Sequence, residues 1–143
     1  MNKKILTILI PTFNNSNSFL KIIKIYSKDP RICILVSDDS IDINEKLLIK
    51  EYCDKHKIKY FNGKRLTPAE NWNSLLEKVN TPYFILNHHD EFPSNLNFLD
   101  MLNESNLGLL VLPCTIIDEK RNIQKRFSWQ QFLFSKICLK FPN

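Results

Sequence analysis

Glycine is almost missing from this chain: only Gly63 and Gly108 occur in 143 residues. A dinucleotide fingerprint or a phosphate-cradling loop needs several glycines, because backbone N–H groups must come close to the phosphates. Neither loop can be built here. Cysteine is sparse too: Cys33, Cys53, Cys114 and Cys138 form no C-x-x-C pair, and each stands beside apolar residues. They read as reduced core thiols rather than a zinc site. No apolar run approaches the roughly 20 residues of a membrane span. The run at residues 5–10 is closed by Pro11 and lacks the small-residue cleavage site of a signal peptide. The expected location is cytoplasmic, with peripheral contact at the inner face of the membrane left open. Internal repeats and low-complexity stretches are also lacking.

What is present suits one globular domain. A hydrophobic content of 43% with 11% aromatics supplies a core, and 24% charged residues solubilise the outside. The formal net charge of +5 and a pI near 9.0 favour anionic partners such as nucleotides, phosphate groups or an anionic membrane. Lys120, Arg121, Lys125, Arg126, Lys136 and Lys140 load the C-terminal end. That cluster matches no nucleic-acid recognition motif, so nucleic acid is not expected as a partner. A solvated face explains it equally well.

Apolar β-branched runs at residues 5–10 and 32–36 predict strands buried on both faces. Shorter strands are predicted at 58–61, 83–86 and 107–112. Phe19, Leu20, Ile22, Ile23 and Tyr26 fall at helical spacing, and Pro30 closes that helix. Asp42 and Glu45 form a capping-box pattern before Leu48, Ile49, Tyr52 and Cys53. Thr67, Pro68 and Glu70 give the clearest helix start, with Trp72, Leu75, Leu76 and Val79 as its core stripe. Ser94 caps a helix that turns Leu96, Leu99 and Leu102 inward. Residues 116–123 predict a hairpin, and 127–141 an aromatic, basic helix. Alternating strands and amphipathic helices mean an α/β fold with a mainly parallel central sheet.

Ligands of such sheets bind outside the carboxyl ends of the strands. Three polar clusters stand there: Pro11-Thr12-Phe13-Asn14-Asn15, Ser37-Asp38-Asp39-Ser40 and Asn87-His88-His89-Asp90-Glu91. Each could be turn chemistry alone, but three on one rim suggest a site. Without a glycine loop, a nucleotide diphosphate needs a metal and basic side chains to balance it. A strand-end carboxylate can hold Mg²⁺ or Mn²⁺ across the phosphates.

The ordered series ILIPTFNNSNSFLKII, ILVSDDSID, AENWNSLLEKVNTPYFIL and HHDE resembles the donor-binding half of family 2 glycosyltransferases. The resemblance runs from Lys4 to about Ile123. It implies the GT-A fold, a Rossmann-like sandwich. It implies transfer of a sugar from a nucleotide-sugar donor, a UDP-sugar being favoured, to a glycan or lipid-linked acceptor, with inversion and metal assistance. It sets Pro11, Thr12, Phe13 and Asn14 against the nucleoside, Asp38 and Asp39 on base and ribose, and Asn71 at the A-x-N helix start. The family often has arginine before that asparagine, where this chain has Glu70. The D-x-D signature falls on His88-His89-Asp90: His88 replaces the first aspartate as a donor-binding residue, and Asp90 remains as the Mn²⁺ or Mg²⁺ ligand, with Glu91 following.

Duller readings stand beside these. His89 suits a plain turn residue, Trp72 suits the core, and His56 suits the surface. Lys64 and Arg65 could clasp a diphosphate or line a solvated loop. Asp118 suits a hairpin turn, so no catalytic base is assigned. The expected layout is an incomplete donor domain at 1–126, then a segment at 127–143 that starts a missing acceptor half. A chain cut short there should bind donor with little transfer. The alternative is a non-catalytic nucleotide-binding or interaction domain that docks on a partner, on a membrane surface or on itself.

Overall fold

The computed structural model describes residues 3–63, 67–104, 116–117 and 123–124. Four strands form a wholly parallel sheet: β1 (Leu6–Thr12), β2 (Ile32–Asp38), β3 (Lys59–Asn62) and β4 (Tyr83–Leu86). Their order is β3-β2-β1-β4. Between them run α1 (Ser16–Tyr26), α2 (Ile43–Lys55) and α3 (Pro68–Leu76), and α4 (Phe98–Glu104) follows β4. This is the α/β fold that the alternating pattern predicts.

The chain steps from β1 to β2 to β3 in one direction and then returns past β1 to β4. Right-handed crossovers therefore put α1 and α2 on one face of the sheet and α3 on the other. Register carries the packing. Leu6, Ile8 and Ile10 align with Ile32, Ile34 and Val36, on the face served by Phe19, Ile22 and Ile23 of α1 and by Ile49 and Cys53 of α2, all buried. On the opposite face Leu9, Leu35 and Leu75 of α3 make one buried cluster, with Cys33, Phe61, Leu76 and Val79 against it. Burial pushes the Cys53 thiol up to about 12, helped by the charges of Asp54 and Asp38, and keeps it protonated. Cys33 and Cys53 are both free thiols.

β1 runs through Pro11, beyond the proline where the pattern ends it. Leu9 accepts the Asn87 N–H across the β4 edge, so Pro11, two residues on, turns the same way. β4 has already stopped at Leu86 there, and the N–H that proline lacks has no strand to bond.

Three helix expectations change. The Asp42 side chain caps α2 through the Asn44 and Glu45 N–H groups, but Glu45 does not complete the box. Its carboxylate instead accepts the Ser16 N–H at 2.6 Å, which ties the start of α1 to α2. The box at Thr67 and Glu70 is reciprocal, as the pattern predicts. The helix expected from Ser94 begins only at Phe98, after the Asn95 side chain has bonded the Asn97 N–H in a local turn. Leu99 and Leu102 are buried as expected. Trp72 leaves the core stripe and is described with the site.

The chain divides into compact units Met1–Asn103 and Glu104–Asn143. In the second, β5 (Ile116–Ile117) and β6 (Ile123–Gln124) pair antiparallel, the predicted hairpin. The strand predicted at 107–112, the helix at 127–141, Lys64, Arg65, Asp118, Cys114, Cys138 and the C-terminal basic cluster lie outside the described residues. Among the described residues no helix is long and apolar enough to cross a membrane.

Candidate functional site

The strand order reverses between β1 and β4, which makes the crevice at the carboxyl ends of those two strands the natural ligand position. A pocket of about 430 Å³ opens there. Its lining combines apolar Pro11, Phe13, Ile41, Pro68 and Trp72 with polar Thr12, Asp39, Asn71, His88 and His89. Of the residues implicated by the sequence, Pro11, Thr12, Phe13, Asp39, Asn71 and His88 are thus brought together. Asn14, Asp38 and Asp90 are not among the lining residues.

Asn14 has a positive φ of 46°, a conformation asparagine tolerates better than most residues. Its N–H donates to Ser40 Oγ at 2.8 Å. Its side-chain oxygen accepts the N–H groups of Ile41 and Asp42 at 3.0 and 3.1 Å. Asn14 therefore clasps the loop after β2, and its carbonyl is spent on backbone.

Asp38 is fully buried. Its carboxylate accepts the Ser40 N–H at 2.9 Å and the Tyr60 hydroxyl at 2.9 Å. Burial and that bond raise the Tyr60 phenol, so it stays a donor. Asp38 thereby underpins the loop from below the pocket. Asp39 is the carboxylate at the pocket itself. Its N–H donates to the Thr12 carbonyl at 3.1 Å, and Oδ2 accepts from Asn71 Nδ2 at 2.6 Å. A carboxylate oxygen can only accept, so this bond fixes which way the Asn71 amide points.

That orientation leaves Asn71 Oδ1 buried without a partner. Thr12 Oγ1 and Trp72 Nε1 are in the same condition. Buried polar atoms without partners are uncommon and costly in folded proteins, at roughly 1–3 kcal/mol each. Three of them belong to residues that line one pocket. Trp72 is only half-buried, and its ring stands edge-on to His88, with centroids 4.7 Å apart and planes at 62°. Its assignment to the core is corrected here: Leu75 fills that position, and Trp72, one turn earlier, reaches the rim.

The turn after β4 is held by Asn87, which the sequence reading names only as part of a strand-end cluster and gives no role. Its carbonyl accepts the Tyr26 hydroxyl at 2.7 Å inside the core. Its amide donates to the carbonyls of His88 and Glu91 at 2.6 and 3.0 Å. Burial, with the Glu91 charge, raises Tyr26 to about 12. Glu91 turns back to accept the His88 N–H at 3.0 Å, while His88, Asp90 and Glu91 are exposed. Among the described residues no group of three His, Cys, Asp or Glu side chains converges to hold a metal ion.

Residues 7–140 match the family described as Glycosyl transferase family 2. The chain belongs to that family. Among curated proteins, none matches the sequence. Solved structures share the fold over 69% of this chain. S. aureus TarS is 16% identical, with a TM-score of 0.57 and 19% of its own length covered. Its 1–349 fragment is 17% identical, with a TM-score of 0.58 and 31% covered. A mannosyltransferase, PcManGT from Pyrobaculum calidifontis, in complex with GDP-Man and Mn²⁺, is 12% identical, with a TM-score of 0.57 and 31% covered. The family 2 chain described here therefore spans less than a third of each of these proteins. At such identities the likeness carries the fold alone.

Proposed function

We propose that the pocket binds the nucleoside diphosphate of a nucleotide-sugar donor, for transfer of the sugar to a glycan or lipid-linked hydroxyl. The three partnerless polar atoms, Thr12 Oγ1, Asn71 Oδ1 and Trp72 Nε1, carry this reading. These atoms are sealed from solvent in the free protein, but their residues line the pocket together with Pro11, Phe13 and Ile41, so a local side-chain shift would present a hydroxyl, an acceptor and a donor to a ligand. A flat heterocycle with polar edges satisfies both kinds of surface. Family membership and the place of the pocket at the sheet's reversal point support the same reading.

The residues suit a divalent ion that arrives with the diphosphate, not one resident in the free protein. Asp90 offers one exposed carboxylate, and Glu91 is turned to the His88 N–H. Mg²⁺ is commonly held in this way, by one or two carboxylates plus substrate phosphates. When bound, such an ion offsets the charge of the leaving diphosphate. His88 and His89, which precede Asp90 in sequence, line the pocket and can donate hydrogen bonds to phosphate oxygens.

Calorimetric titration with UDP and GDP, each with and without Mn²⁺, tests the reading. The expected result is saturable binding of at least one nucleoside diphosphate, tighter with Mn²⁺, and no Mn²⁺ binding without nucleotide. A folded protein that binds neither nucleotide at millimolar concentration defeats it.

A further inference from the structure

Gly63 lies just past β3, and its backbone does not explain the choice of residue, because no described glycine has a positive φ. Space does explain it. A Cβ at this position would fall 1.9 Å from Asp39 Oδ1, 2.6 Å from Asp39 Cγ and 2.8 Å from the Asp38 carbonyl oxygen. The Gly63 N–H donates to that same carbonyl at 2.8 Å, so the two backbones cannot part without losing the bond that continues the β2–β3 pairing. The Asp39 carboxylate occupies the room a side chain would take.

We infer that Gly63 is a positioning residue for the pocket: the missing side chain makes the notch that holds the Asp39 carboxylate against Asn71. One wall of the notch is the Gly63 Cα, and the other is the Asn71 amide, 2.6 Å from Asp39 Oδ2. Displacing the carboxylate changes two lining residues together. Asp39 leaves its place, and Asn71 loses the bond that turns its Oδ1 away from Asp39. Gly63 touches no ligand in this account and acts through Asp39. The inference rests on the nucleotide-site reading for its functional half, whereas the notch is a statement about folding and stands apart from it.

A double-mutant cycle over Gly63→Ala and Asp39→Ala tests both halves, read by UDP and GDP calorimetry with Mn²⁺ and by urea denaturation. Gly63→Ala is expected to weaken nucleotide binding about tenfold or more, as loss of a charged hydrogen-bonding group does. Asp39→Ala should weaken it by a similar factor, and the double variant no further. In urea the double variant should be more stable than Gly63→Ala, because the two nearest clashing atoms are gone. Binding losses that add, a Gly63→Ala protein that binds as the wild type does, or a double variant no more stable than Gly63→Ala would each overturn the proposal. If Gly63→Ala does not fold, refolding in the double variant supports the notch, and failure of both to fold overturns it. If the wild type binds no nucleotide, the site reading fails, and the stability cycle alone decides the notch.

Discussion

The ends of β2 and β4 carry similar sequences, an acidic pair in Ser37-Asp38-Asp39-Ser40 and another in His88-His89-Asp90-Glu91, yet the fold treats them in opposite ways. At β2 both carboxylates are committed. Asp38 is buried beneath the loop with two donors, and Asp39 is pinned by Asn71 and by the room over Gly63. At β4 the anchoring is done by Asn87, through Tyr26, and His88, Asp90 and Glu91 after it stay exposed. One rim is prearranged and the other is available. A rigid rim suits a ligand part of fixed shape, and an exposed one suits a flexible, charged diphosphate with its counter-ion.

The largest effect should come from breaking the rigid side. Asp38→Ala removes a fully buried acceptor and leaves the Ser40 N–H and the Tyr60 hydroxyl unpaired, a loss of about 2–4 kcal/mol in stability. Urea denaturation checks it. A midpoint within error of the wild type would mean that the β2 loop does not depend on this carboxylate.

The exposed side should respond in the other currency. Asp90→Asn is expected to leave stability within about 0.5 kcal/mol of wild type and to remove most of the Mn²⁺-dependent gain in nucleotide affinity, while affinity without metal stays unchanged. His89→Ala should lose less. Calorimetry in Mn²⁺ and in EDTA separates the two. Equal affinities for wild type and Asp90→Asn in Mn²⁺ would take Asp90 out of the site, and a larger loss in His89→Ala would move the metal position to that residue.

The smallest effect tests the place where the two rims meet. Trp72→Phe keeps an aromatic ring beside His88 and deletes only the indole N–H. A nucleotide that uses that donor should bind more weakly by up to about tenfold, the value of one ordinary hydrogen bond. Unchanged affinity would mean that a water or another side chain, not the ligand, meets Trp72 Nε1.

The α/β order through β4 was legible because local signals agree with one another: continuous β-branched runs, helical spacing of apolar residues, and the Thr67–Glu70 cap. Pro11, Thr12, Phe13, Asp39, Asn71 and His88 could be singled out from their strand-end positions and the family resemblance, and they line one pocket. What escaped is tertiary. Trp72 fits a helical stripe as well as Leu75 does, and only the position of α3 against the sheet decides which of them reaches the rim. Glu45 completes a local pattern on paper, but the start of α1 lies closer to hand. Asn87 looks like one more polar turn residue until Tyr26 is seen beneath it. Gly63 carries no positive φ, and its purpose depends on a carboxylate from the loop after β2.

The strand order also bears on how the chain is made. β1 leaves the ribosome first and can pair early with β2, but its other edge waits for Tyr83–Leu86. At about 5–20 residues per second, synthesis leaves that edge open for seconds. The segment concerned, Leu6–Thr12, is among the most apolar of the chain and is almost wholly buried once folded. During translation it is a stretch exposed to wrong pairing between nascent chains, and one a chaperone would usefully cover.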